Sequence, residues 1–415
     1  MRKRTSSVYV KKTFLSFHLT ANSISGKIFT CYKPSYGCYI LLMYSHKEEV
    51  ISLEANRIYN FNPGPAMMPL PVLKEAQTEF LNFHNTGMSI IEISHRSPAY
   101  EEVHNKAKSD ILELMGLGDD YEVLFIQGGA SLQFTMLAQN FATKEHPGSY
   151  VLSGSFASKA YKEAEILGIG KVAASSKEDD FRHVPTQDEI KLDPSSAYLH
   201  VCYNNTIYGT EYHYVPETGN VPLIADMSSD MLSRPVDFSK FSFIYAGVQK
   251  NLGPAGVTLV VAKKSFIEHS PESLPTMLRY DTFLKKNSLY NTPPAFCIYM
   301  VGKVAAWIKE QGGLTEMAAR NKKKAALLYE AIDSSNGFYK GHAEKNSRSF
   351  MNVTFRLPNE ELEKKFVAEA AENGLGGVKG HRSVGGMRAS IYNAMPYEGV
   401  EKLADFMAKF RKSNI

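Results

Sequence analysis

The 415-residue chain has four cysteines, one tryptophan and a net charge of only +4. Cys31, Cys38, Cys202 and Cys297 form no CxxC pair and no metal-ligand spacing. That excludes a disulfide scaffold and a zinc site, and it points to free thiols in a reducing, cytoplasmic compartment. Apolar runs such as "CYILLM" fall far short of the roughly 20 residues that a membrane helix needs, so no membrane partner is expected. The small charge excess, with no long Lys/Arg block, excludes nucleic acid.

Acidic residues are missing from one region only. Met1 to Lys47 contains no Asp or Glu, whereas they are frequent from Glu48 onward. A transit peptide is basic, Ser-rich and acid-poor. Here, however, the segment has only Arg2 and Arg4 as arginines, and Pro34 and Gly37 interrupt any amphipathic helix. A second reading is that "KEEV" at 47–50 is a purine-rich ribosome-binding sequence translated in frame, with Leu53 a TTG start read as leucine. Residues 1–52 are therefore expected to be a non-native or disordered extension outside the fold.

What is present, from about residue 58, is an α/β pattern. "YEVLFIQ", "SYVLSG", "AYLHVCY", "VPLIAD", "FSFIYAG" and "GVTLVVA" read as buried strands, with helical stretches such as "ASLQFTMLAQNFA" and "FASKAYKEAEILG" between them. This alternation predicts a parallel or mixed sheet covered on both faces. After "NTPP" at 291–294 the pattern becomes α+β. The expected division is a large domain over 70–311, with 53–69 and 312–415 forming a smaller one.

In open α/β sheets the ligand lies beyond the carboxyl ends of the strands. There the chain places Gly128-Gly129-Ala130-Ser131, Phe156, Thr206, Asp226 and Gln249-Lys250 after successive strands. Taken singly, these are a tight turn, a core aromatic and a helix cap. Lys250 is harder to explain that way, because it is a long cation in a glycine-flanked turn between two apolar runs. Pyridoxal phosphate needs this whole set: an anion cradle, a flat partner for its ring, a carboxylate for the pyridine nitrogen and a lysine amine. Confinement lowers the lysine pKa and so favours the nucleophilic neutral amine.

The motifs "NFNPGPAMMP", "SHRS", "QGGASLQF", "NNTIYGT", "ADMSSDMLSRPVD", "YAGVQKNLGPAG", "LYNTPP" and "GHRSVGGMRASIYNAM" together resemble the phosphoserine aminotransferase family. The resemblance runs from Ile58 to the C-terminus and implies a pyridoxal-phosphate transferase of the aspartate-aminotransferase fold type. It further implies cofactor contacts from Ala130, Ser131, Phe156, Thr206, Asp226 and Gln249, with Lys250 as the Schiff-base lysine. Asn291 and Thr292 would reach the cofactor phosphate of the neighbouring subunit in a homodimer. The implied reaction exchanges an amino group between glutamate and 3-phosphohydroxypyruvate in serine biosynthesis, and 4-phosphohydroxythreonine is a further candidate substrate. Arg388, in a constrained Gly-Gly-Met-Arg segment, suits a bidentate clamp on the substrate α-carboxylate. His95, Arg96, His381 and Arg382 would face the substrate phosphate. Phe156 stands where the family typically has Trp, and Ser131 where some members have Arg. The rival readings are an alanine–glyoxylate type aminotransferase, a cysteine desulfurase and a non-catalytic vitamin B6 carrier. A desulfurase needs a reactive Cys in a mobile loop, whereas Cys202 ends an apparent buried strand and Cys297 begins a helix, and a carrier has no use for a carboxylate clamp.

Overall fold

The computed structural model describes residues 57–415, so the expected extension 1–52 and Cys31 and Cys38 lie outside the described residues. The centre of Ile58–Ile415 is a seven-stranded sheet in the order Tyr121–Ile126, Thr258–Lys263, Phe243–Gly247, Leu223–Asp226, Tyr198–Cys202, Gly148–Leu152, Gly170–Ser175. Thr258–Lys263 pairs antiparallel with both neighbours, and every other pairing is parallel. The sheet is thus mixed, with the sharp reversal at the turn that holds Lys250.

Strand periodicity explains how both faces are covered. Val123, Phe125, Leu199, Val201, Ile244, Ala246, Leu259 and Val261 belong to one hydrophobic cluster. Their sequence neighbours Leu124, Ile126, Tyr198, Phe243, Tyr245, Val260 and Ala262 belong to another. Successive side chains point to opposite faces, so the inner strands feed two cores and are apolar throughout, whereas the edge strand Gly170–Ser175 is partly exposed and carries Lys171 and Ser175. The first core is closed by the helices Leu70–Glu79, Pro98–Met115 and Ala295–Glu310, and the second by Gly129–Phe141 and Ser155–Ile166.

A third cluster holds Phe61 together with residues from Ala325 to Phe410. It packs between a three-stranded antiparallel sheet (Lys340–Gly341, Asn352–Arg356, Met387–Ser390) and the helices Gly313–Asp333, Glu360–Glu372 and Tyr397–Ser413. Tyr59–Asn60 joins it by pairing with Leu375–Gly376. The Gly313–Asp333 helix links the cores: Leu314 and Met317 enter the first, and Ala325, Leu328 and Ile332 the third.

Buried polar side chains join these regions. Asn204 donates to Ser229 Oγ (2.7 Å) and Asn352 Oδ1 (2.8 Å), and accepts from Ser349 Oγ (2.6 Å). Asn393 accepts from Asn321 (2.7 Å), and its backbone N–H donates to Asn251, the residue after Lys250 (2.9 Å). Lys324 is buried and donates to the carbonyls of Ile391 (2.9 Å), Tyr392 (2.7 Å) and Met395 (3.1 Å). Removing that ammonium strands the Ile391 and Met395 carbonyls in the interior, while Tyr392 O keeps the Met395 N–H (2.9 Å). Lys324→Met is therefore expected to lower unfolding stability by about 3 kcal/mol in urea titrations. A loss below about 0.5 kcal/mol would show that the carbonyls find other donors.

Candidate active site

The strand ends converge as the sequence predicts, starting with the anion cradle. Tyr121–Ile126 is followed by Gly128 and Gly129 at φ +95° and +66°, and the Gly129–Phe141 helix starts there. A side chain at Gly128 would strike Leu132, at 2.5 Å, so glycine is needed for shape as well as for φ. No side chain caps this helix and no acid lies in its first turn. The N–H groups of Gly129, Ala130 and Ser131 therefore remain open to an anion.

Phe156 is the second residue of the Ser155–Ile166 helix and is partly buried. Lys250 Nζ lies 4.7 Å from its ring centroid and donates to Thr206 Oγ1 at 2.6 Å. Burial pushes the Lys250 pKa down, Arg388 adds to that, and Asp226 opposes it. Gly64, at φ +141°, passes so close that a Cβ would sit 3.1 Å from Lys250 Cγ, and Ala66 N–H donates to the carbonyl of Gln249 (3.0 Å). The 64–66 segment thus closes over the lysine.

Asp226 is 4% exposed, and its Oδ1 accepts from the backbone N–H (2.9 Å) and hydroxyl (2.6 Å) of Ser228. No described helix starts here for Asp226 to cap; its Oδ1 closes an Asx turn onto Ser228 and uses one oxygen only. Among the described residues Oδ2 has no hydrogen-bond partner. Ser228 Oγ also accepts from Gly247 N–H (3.0 Å), which ties the carboxylate to the strand leading to Lys250.

Arg388 is 6% exposed, has no carboxylate partner among the described residues, and leaves Nε unpartnered. Its one side-chain bond runs from Nη1 to Thr206 O, at 3.4 Å. Burial lowers its pKa. His381 bonds Ser383 Oγ through Nδ1 (2.7 Å), and its pKa is lowered by burial, then by Arg388, Arg382 and Lys159. Arg382 is exposed.

The structure thus brings Thr206, Asp226, Lys250, Phe156, Arg388, Arg382 and His381 into one electrostatic neighbourhood. It does not connect His95 or Arg96 to them within the chain. His95 stands in the turn before the Pro98–Met115 helix with Nε2 buried and unpartnered, and Arg96 is exposed. Asn291 donates to Gln127 Oε1 (3.2 Å), beside the Gly128 turn, while its Oδ1 is buried without a partner; Thr292 is exposed. Sequence reasoning missed Ser228, Gly64 and Lys159. Ser228, two residues after an Asp, carries the Asx-turn signal, and Lys159 lies one helical turn beyond Phe156.

These residues fit pyridoxal phosphate. The open N–H groups suit its phosphate, the free Asp226 oxygen its ring nitrogen, Phe156 its ring face and the Lys250 amine its aldehyde.

The Aminotransferase class-V family model matches residues 58–403. Phosphoserine aminotransferase of Geobacillus kaustophilus is 57% identical over 356 residues, 86% of this chain and 99% of that one. The solved phosphoserine aminotransferase of Bacillus circulans subsp. alkalophilus superposes with TM-score 0.85 at 55% identity, covering 86% of this chain and 99% of the other. The pyridoxal-phosphate-bound enzyme of Trichomonas vaginalis follows at TM-score 0.81 and 39% identity, covering 85% and 100%. Strand-end site, sheet order and relatives agree: the chain belongs to the class-V aminotransferases and, within them, to the phosphoserine aminotransferase family.

Proposed function

We infer that the protein transfers the amino group of L-glutamate to 3-phosphohydroxypyruvate, giving 2-oxoglutarate and O-phospho-L-serine. The observation that carries this reading is Arg388, a buried guanidinium without a carboxylate partner among the described residues, set among further cations and beside Lys250. A buried, uncompensated cation is costly to the fold and is relieved by an anionic ligand.

Pyridoxal phosphate, when bound, supplies the electron sink that makes loss of the Cα proton feasible. The protein's part is binding and proton handling. Arg388 would grip the α-carboxylate through its planar fork. Lys250 Nζ, held by Thr206 with its pKa depressed by burial, takes the proton from substrate Cα and later returns one. Asp226 Oδ2 would hold a proton at the ring nitrogen, while Ser228 fixes the other oxygen. Ala130, Ser131, Phe156, Thr206 and Gln249 would seat the cofactor. His95, Arg96, His381 and Arg382 are proposed for the substrate phosphate. The separate clusters of the central sheet and of Phe61 with the C-terminal elements support a division into a 70–311 domain and a smaller one from 53–69 with 312–415, of which 53–56 lie outside the described residues and Leu314 and Met317 pack with the first cluster. The free thiols Cys202 and Cys297 support a cytoplasmic location, and no described helix is long and apolar enough to cross a membrane.

Added to the holoenzyme, O-phosphoserine and glutamate should bleach the visible absorbance of the cofactor, while alanine and cysteine should not. Equal bleaching by alanine would sink the substrate assignment.

We also propose a homodimer with shared sites, in which Asn291 and Thr292 serve the partner's cofactor. Supporting it, Phe80, Leu81, Met88, Ile91 and Tyr290 are exposed apolar residues. Phe80 packs edge-on against Phe296, shortly after the Asn291-Thr292 pair. Lys250→Ala should be inactive, and the Asn291→Ala/Thr292→Ala variant badly impaired. Random mixing makes about half of the dimers hybrid, and each hybrid carries one site with both defects and one with neither. Activity should return to roughly a quarter of wild type per site. No recovery, with hybrids verified by mass, would place the pair at its own chain's site.

A further inference from the structure

Lys159 has no ion-pair partner among the described residues, although it is an exposed residue on a helix that contains two acids, Glu163 and Glu165. Its natural helical partner at i+4 is Glu163. That carboxylate instead accepts from Thr135 Oγ1 on the Gly129–Phe141 helix, at 3.0 Å. The strands before the two helices, Tyr121–Ile126 and Gly148–Leu152, run in the same direction, since two antiparallel pairings through Thr258–Lys263 restore it, and so do the helices. One turn back from the Thr135–Glu163 contact lie Ser131 and Lys159, so Lys159 stands next to the open start of the neighbouring helix. Its Nζ is 5.3 Å from the Phe156 ring, whose centroid is 4.7 Å from Lys250 Nζ. Toward the C-terminal segment, Lys159 is near enough to His381 to add to the lowering of the imidazole pKa, after burial, Arg388 and Arg382. His381, Arg382 and Arg388 come from the far end of the chain, and Lys159 supplies a cation from the sheet side.

We propose that Lys159 is a specificity-determining residue that donates to the phosphate of the phosphorylated substrate, opposite His381 and Arg382. This rests on the proposed reaction. A flexible ammonium suits a dianionic phosphate with three acceptor oxygens, and it gains less from the single negative charge of a glutamate γ-carboxylate. Lys159 therefore favours the phosphorylated partner of the cycle over the dicarboxylate one. The nearby helix start is the expected seat of the cofactor phosphate, so the test separates the two phosphates.

The experiment titrates the holoenzyme calorimetrically with two unreactive ligands. One is 3-phosphoglycerate, which has a carboxylate and a phosphate but no amine or ketone; the other is glutarate, which has two carboxylates. Lys159→Met should weaken 3-phosphoglycerate about five- to tenfold, the size of one exposed charge-assisted hydrogen bond, and glutarate less than about twofold. Lys159→Arg should restore binding, and pyridoxal phosphate affinity, measured by dialysis, should not change. In steady state the KM for O-phosphoserine should rise in Lys159→Met while kcat holds. Equal effects on both ligands, no effect, or weakened cofactor affinity with 3-phosphoglycerate unchanged would each overturn the assignment. A wild-type enzyme that bleaches with neither O-phosphoserine nor glutamate would overturn the reaction itself, a separate result from the binding comparison.

Discussion

Two cations, Lys250 and Arg388, are confined close together at the carboxyl ends of the strands, and among the described residues Arg388 has no acid of its own. Uncompensated interior charge costs several kcal/mol, so this arrangement survives only because the surroundings are rigid. The sheet reverses direction next to Lys250, the 64–66 segment covers it, and Thr206 holds both its amine and, through its carbonyl, Arg388. Asp226 is the carboxylate that most opposes the depression of Lys250, with Asp230 adding to it, and Ser228 ties Asp226 to Gly247. The buried Asn204–Asn352–Ser349 and Asn321–Asn393–Asn251 contacts fix the Met387–Ser390 strand against the sheet. Arg388 therefore meets Lys250 at a defined place.

The same charge imbalance explains why the site can bind two kinds of substrate. An α-carboxylate is common to glutamate and phosphoserine and needs one fixed guanidinium. The far ends differ in charge and shape, and the groups available there are exposed or partly exposed: His381, Arg382 and Lys159. A buried clamp for the shared group with a looser set of cations for the variable one is what a ping-pong cycle through one site requires.

Six strands of the central sheet were legible because they are apolar on both faces, and runs such as "FIYAG" are buried at every position; the edge strand Gly170–Ser175, half exposed with Lys171 in it, carries no such signal. The strand-end rule then located Thr206, Asp226 and Lys250 without any contact information. Less legible were features made by residues distant in sequence. Nothing near Asn204 announces Asn352 or Ser349, 148 and 145 positions away. Lys159 reads as one more lysine on an amphipathic helix, and only the diversion of Glu163 to Thr135 leaves it unpaired. His95 and Arg96 group with His381 by residue type alone; among the described residues they share no hydrogen bond or ion pair with it.

The central claim is that the confined amine of Lys250 is the one that takes up the cofactor. Borohydride reduction of the holoenzyme, followed by proteolysis and peptide mass mapping, addresses it directly. The account predicts a phosphopyridoxyl group on Lys250 and on no other lysine. Labelling of another lysine in place of Lys250, with the cofactor fully retained, would contradict it.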